Sequence, residues 1–211
     1  MLSFDHVIMA TRDVGAAAAQ LFDDHGLAAV PGGRHEHLGT ANWIVPLGPD
    51  YLELMYVDDP RVAADTAVGR WVLDQSADGD RLAALLLRVD DIESVTTRLG
   101  LASSEIERPG SDGTRLSWHV AGLERALDDR PLPGFLQPRI PPEHYPGRQP
   151  ADHRVQPQGI AWVEFGADPA ELQSWLGPHK LDIRVVETSV GVQRLGIASN
   201  QGTIILDGEA T

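Results

Sequence analysis

Residues 4–30, FDHVIMATRDVGAAAAQLFDDHGLAAV, set the reading of the whole chain. Phe4 to Ala10 is apolar enough for a largely buried strand, with His6 set among Val7, Ile8 and Met9. Alternate residues of a strand share a side, which puts His6 with Phe4 and Ile8. Asp13 has the chemistry of a helix N-cap, and the alanines between Val14 and Phe22 favour helix. Leu21, Phe22 and Leu27 supply the helix's apolar edge, and Gly26 stops it. Ala28 to Val30 reads as a short strand. Outward from there, the turn-rich Pro31-Gly32-Gly33-Arg34-His35 leads into strands over 41–46 and 51–56, joined by Leu47-Gly48-Pro49-Asp50, which has hairpin punctuation. The unit is β-α-β-β-β.

The same order recurs twice. Leu82 to Val89 is an apolar strand, Asp91-Ile92 opens a helix ending near Gly100, and 104–108, 115–121 and 133–137 supply three strands. Gly159 to Gly166, a helix opened by Asp168-Pro169 and closed at Trp175-Leu176-Gly177, and strands over 182–187, 192–198 and 203–206 form a third set. The caps Asp13, Asp91 and Asp168 lie 78 and 77 residues apart, a spacing that points to internal duplication. The chain divides on this reading into a first unit (1–58), a connector (59–81), a second unit (82–140), a Pro-rich loop (141–158) and a third unit (159–211). The connector is helical over 62–73, with Val68, Trp71 and Val72 as its apolar edge. The irregular stretch from Pro138 to Gln158 holds five prolines by Pro150 and carries His144, Tyr145 and His153; loops of that length are often functional lids and more often surface linkers.

Composition narrows the function. With 17 Lys and Arg against 31 Asp and Glu, the formal net charge is −14, which disfavours a nucleic-acid partner. No cysteine is present, so disulfides, thiolate nucleophiles and Cys-containing zinc patterns are excluded. No apolar run approaches the roughly 20 residues of a membrane span, and the start lacks the basic, apolar pattern of a signal peptide, so a cytoplasmic location and no membrane partner are expected. No glycine-rich nucleotide signature or nucleophile elbow occurs.

Eight histidines are the main chemical resource. A histidine in an apolar strand is by itself more often a core residue than a ligand. Glu53, at the centre of Tyr51-Leu52-Glu53-Leu54-Met55, changes the weighing, because an ionised carboxylate there needs a partner. A His nitrogen and a carboxylate oxygen together suit Zn, Mn, Fe or Ni. The segment 32–42, GGRHEHLGTAN, offers Arg34, His35 and Asn42 beside glycines that permit close approach to a ligand; a solvated loop is an equally good reading of His35 and His37 alone.

Asp5-His6-Val7, then GGRHEHLGTAN, then Tyr51-Leu52-Glu53-Leu54, in that order, resemble the glyoxalase-like branch of the vicinal oxygen chelate superfamily. The resemblance implies an α+β fold in which paired βαβββ units curl a mixed sheet into a cup. It also implies a divalent metal held by a His or Gln on the first strand and a Glu on the last strand of each unit. His6 and Glu53 match those positions in the first unit. In the second, Ala84 stands where His6 would be and Gln137 lies near the place of Glu53, so coordination would be completed by Gln137, His119, His35 or water; the third unit offers Ala161. The expected function is a metalloenzyme of isomerase, lyase or dioxygenase type acting on a small oxygen-bearing substrate. His35 or His119 is the candidate base, and Arg34, Asn42, Trp43 and Trp118 are candidate substrate-binding residues. The alternative is a metal-free small-molecule binding or sequestration protein of the same superfamily; a third class is a module whose cup is filled by its own side chains. The third unit completes a second cup, pairs across a homodimer, or buttresses the first unit.

Overall fold

The computed structural model describes residues 1–109 and 115–208; the drawn spans 82–140 and 159–211 each contain a few residues outside that set. The first segment forms β1 (Leu2–Ala10), α1 (Val14–His25), β2 (Val30–His35), β3 (Thr40–Pro46) and β4 (Tyr51–Val57). The connector holds α2 (Pro60–Asp65) and α3 (Ala67–Gln75), followed by β5 (Arg81–Val89), α4 (Ile92–Leu99), β6 (Ser103–Pro109), β7 (Arg115–Ala121), α5 (Leu123–Ala126) and β8 (Gly134–Arg139). After two 3-10 turns, Pro142–His144 and Pro146–Arg148, come β9 (Pro157–Gly166), α6 (Pro169–Leu176), β10 (Ile183–Val186), β11 (Gly191–Ser199) and β12 (Gly202–Asp207).

Local chemistry sets these boundaries. Asp13, Asp91 and Asp168 each accept backbone N–H groups in the first turn of their helices, and Gly26 and Gly100 close α1 and α4 in the left-handed region. The connector is two helices where one was expected. Thr66 adopts an extended backbone, ends α2 and caps α3 by accepting from the Gly69 N–H, so the chain turns and brings Trp71 and Val72 inward.

An eight-stranded, curled mixed sheet runs in the order β2-β3-β4-β1-β5-β8-β7-β6. Its halves repeat one pattern: β1 pairs parallel with β4, β5 pairs parallel with β8, and β1 and β5 join antiparallel. The third set repeats the element order with a different pairing. Its sheet runs β10-β9-β11-β12, with the first strand parallel to the second and antiparallel to the third. Val163, Phe165, Leu195 and Ile197 of this sheet share a core with α1 and with Val7, Leu52, Leu54, Leu85 and Leu87 of the large sheet. Asp50, in the turn between β3 and β4, ties the two sheets by accepting the Ile160 N–H at 2.9 and 3.0 Å.

The opposite face of the large sheet carries Ile8, Met55, Ala84, Leu86, Trp118 and Leu136, against which Trp71 and Val72 pack. His6 and Ile8 belong to this face. Phe4 does not: a register shift between Phe4 and His6 sends Phe4 into the core shared with α1, and Asp5 lies at the irregularity, fully buried. Such a bulge re-aims the side chains on either side of it.

The Pro-rich segment crosses the first half as a strap. Gly147 accepts the Gly48 N–H at 2.7 Å, His153 Nδ1 accepts the Ala28 N–H at 2.9 Å, and Arg154 donates to the Asp23 and Phe22 carbonyls at the end of α1. Burial pushes the His153 imidazole down, in keeping with its acceptor role. Among the described residues no helix is long and apolar enough to cross a membrane.

Candidate functional site

The site is built on β1, the neighbouring β4 and β3, and the strap. His6 Nδ1 lies 2.7 Å from Asp5 Oδ1, and the Tyr145 O–H donates to Asp5 Oδ2 at 2.9 Å. The carboxylate thus accepts from the phenol on one oxygen and from imidazole Nδ1–H on the other, which leaves the imidazole's other nitrogen, Nε2, aimed across the strands. There it meets Glu53 Oε2 at 3.3 Å. Glu53 and His6 are only 5 % and 7 % exposed. The Asn42 amide donates to Glu53 Oε1, and its own oxygen accepts the Gly33 N–H at 2.7 Å. Tyr51 stacks on the His6 ring at 4.5 Å, and Tyr145 meets Tyr51 edge-on at 5.9 Å.

Burial raises the Tyr145 phenol far from ionisation, and the negative charge of Asp5 adds to this, so it serves as a neutral donor. The Asp50 carboxyl is pushed up to about 7, chiefly by burial and also by nearby Asp5, against the opposing Ile160 N–H and Arg88. Arg88 stands over the Tyr145 ring at 5.0 Å, donating to Ser3 Oγ at 3.3 Å and to the Pro49 carbonyl at 3.1 Å.

The residues singled out from the sequence separate into three groups. His6, Glu53 and Asn42 converge. Trp118 lies buried on the same sheet face, and His35, bonded through Nδ1 to Thr40 Oγ1 at 3.0 Å, sits opposite a residue two positions from Asn42 on the same side of β3. The others are placed elsewhere. Trp43 points to the other side of β3 and packs on the core shared with α1. His119 is on the side of β7 opposite Trp118, 3.9 Å from Glu105. Gln137, directly across from His119, caps α4 by accepting the Ile92 N–H at 3.1 Å and donating to the Asp90 carbonyl at 2.9 Å. On the site's side β8 presents Leu136, and Ala84 is packed among apolar neighbours on β5. Arg34 pairs with Asp58 at the exposed rim. Among the described residues, no three His, Cys, Asp or Glu side chains form a set that could hold a metal ion.

Asp5, Tyr51 and Tyr145 were not assigned roles from the sequence. Asp5 had a readable signal, a carboxylate in an apolar strand beside His6. Tyr145 had none, because its contact spans 140 residues.

Gly32 supports the site from behind. An added Cβ there would overlap Asn42 Oδ1, the atom that fixes the amide against Glu53. Gly32→Ala is expected to swing Asn42 away and, if the pair holds a cation, to weaken that binding about tenfold, as removal of an outer hydrogen-bond partner does. Calorimetric titration checks this, with thermal melting as the control for folding.

A model of the glyoxalase-like domain matches residues 4–180. The chain belongs to the glyoxalase-like domain family. The order of motifs over residues 5–55 therefore carried a true resemblance, and the curled mixed sheet is the fold of the vicinal oxygen chelate superfamily. A search of curated proteins found no match. Among solved structures, a hypothetical protein from Staphylococcus aureus is similar at a TM-score of 0.66 and 16 % identity, over 97 % of this chain and 84 % of that one. Methylmalonyl-CoA epimerase from Streptomyces coelicolor is similar over 65 % of this chain and 97 % of its own at 0.48 and 18 %, and that from Mycobacterium tuberculosis over 65 % and 88 % at 0.46 and 20 %. The first of these likenesses shows that the two proteins share a fold along nearly the whole of this chain.

Proposed function

We propose that this glyoxalase-like chain is an enzyme that binds a divalent cation between His6 Nε2 and Glu53 and acts on a small oxygen-bearing molecule. One observation carries the reading: with Nδ1–H given to Asp5, the lone pair of His6 Nε2 faces the Glu53 carboxylate at 3.3 Å. Two electron-rich atoms buried at that distance call for a cation between them. The donor pair of imidazole and carboxylate fits Zn, Mn, Fe or Ni, and leaves the remaining coordination positions to water and ligand oxygens. A cation held there would supply Lewis-acid stabilisation of negative charge on a ligand oxygen.

The chain's own groups each have a task. Asp5 fixes the His6 tautomer and ring orientation, as the carboxylate behind a metal-binding histidine commonly does. Asn42 orients Glu53, Tyr145 anchors Asp5, and Tyr51 shields the imidazole face from water. His35, on the Asn42 side of the sheet, is the base candidate within this proposal.

A second reading puts a proton in the same place, making His6 an imidazolium between two carboxylates in a metal-free binding protein. The apolar second half, Ala84 and Leu136, favours it. Metal analysis and calorimetry on untagged protein separate the two. One ion per chain, taken up with a simple saturable isotherm, is the expected result; no uptake from Zn, Mn, Fe or Ni under metal-replete conditions overturns the cation reading in favour of the proton.

A further inference from the structure

An open groove of about 430 Å³ lies between the end of β5, the end of β8 and the strap. That volume lies within the roughly 300–1,000 Å³ typical of small-ligand sites. It is separate from the His6–Glu53 contact. Val89, Ile140 and Pro142 give it apolar walls, and Tyr145 and two arginines, Arg88 and Arg148, form part of its lining.

Two arginines converging on one concave surface stand against the field of a chain carrying −14. Arg88 has a structural duty, since its positive charge opposes the upward pKa shifts of buried Asp50 and Tyr145. Its bonds to Ser3 Oγ and the Pro49 carbonyl use Nε and one Nη2 hydrogen of a group with five N–H donors, so the fork is held rigid with donor edge to spare. Arg148 is exposed on the 3-10 turn Pro146–Arg148 and adds a second positive charge. The acidic side chain in the lining, Asp90, is 76 % exposed, so solvent screens its charge. A held, planar Arg88 guanidinium with a second arginine in the same lining, beside an apolar wall, suits an oxyanion attached to an apolar body.

We propose that this groove is a binding site for a small anionic organic molecule, a carboxylate or phosphate ester whose charged end lies between Arg88 and Arg148 and whose apolar end lies along Val89 and Ile140. The site stands on its own cavity and charges, independently of whether His6 and Glu53 hold a cation. The test uses the full chain kept metal-free with chelator, titrated by calorimetry and amide NMR with benzoate, phenyl phosphate and the neutral isostere benzamide. Both anions should bind saturably and shift resonances of Arg88, Tyr145 and Ile140, with benzamide at least tenfold weaker. Arg148→Ala should weaken benzoate about tenfold, the loss of one charge-assisted contact. Arg88→Gln should do the same or more; if that variant does not fold, exposed Arg148 carries the test. Phenyl phosphate binding tighter than benzoate identifies a phosphate-bearing ligand, and the reverse a carboxylate. Benzamide matching benzoate, no saturable shift in the groove, or undiminished binding by Arg148→Ala overturns the proposal.

Discussion

Asp5→Asn should leave the fold in place and lower the divalent-cation affinity proposed for the His6–Glu53 pair by roughly 100-fold, the upper end of the effect of losing a histidine's supporting carboxylate. The reason is a proton count. An asparagine can still accept the Tyr145 O–H on its oxygen, but its nitrogen is a donor, so His6 Nδ1 must turn from donor to acceptor. The imidazole proton then moves to Nε2 and is donated to Glu53, filling the space the cation would take. Hydrogen bonds are exchanged without loss, so the variant should melt within a few degrees of the parent. Nitrogen NMR of the imidazole reports the tautomer directly, and calorimetry reports the affinity. A variant that changes tautomer and still binds cations as tightly as the parent sinks the assignment of Nε2 as a ligand.

Asp50 makes a prediction about pH. Its carboxyl sits at about 7 in the folded protein against 3.8 for the free side chain. Below 3.8 both folded and unfolded chains carry the proton and Asp50 contributes nothing to the pH dependence. Between 3.8 and 7 the folded chain holds a proton that the unfolded chain has released, so stability falls as pH rises through this window. Above 7 both are ionised and the folded state bears the whole burial penalty, on the order of 4 kcal/mol as an upper bound. Asp5, Arg88 and the Ile160 N–H face this carboxyl and are included in that balance. Asp50→Asn keeps an acceptor for Ile160 and removes the titration. Urea denaturation of parent and variant from pH 5 to 8 should show the parent losing stability toward pH 8 relative to the variant, most steeply below 7. Parallel curves would show that Asp50 does not titrate in this range.

What was legible in the sequence is what short-range physics writes there. A carboxylate three residues ahead of an N–H, a glycine at a helix end and an apolar run between turns each act locally, so Asp13, Asp91, Asp168, Gly26 and Gly100 do what their positions imply. His6 and Glu53, the polar residues that stand out in their apolar strands, are in contact: His6 meets Asp5 on its own strand through Nδ1 and reaches Glu53 on β4 through Nε2. Pairing and facing were less legible. The third set has the element order of the other two, yet β9 takes β10 and β11 as neighbours, a choice that periodicity does not encode. Gln137 lies one residue beyond Leu136, and one residue in a strand reverses the face. The bulge at Asp5 removed Phe4 from the face of His6, and Thr66 broke the connector helix with a side-chain cap that looks unremarkable in sequence.

Tyr145 closes over a site whose other members all lie between residues 5 and 53. On the ribosome, strands β1 to β4 emerge well before the strap that holds Asp5 in place. The nascent first half therefore spends the time needed to add about ninety more residues, several seconds at roughly 5–20 residues per second, with its acidic cluster uncovered. The order of synthesis makes the Tyr145 phenol the last piece of the cluster to be made.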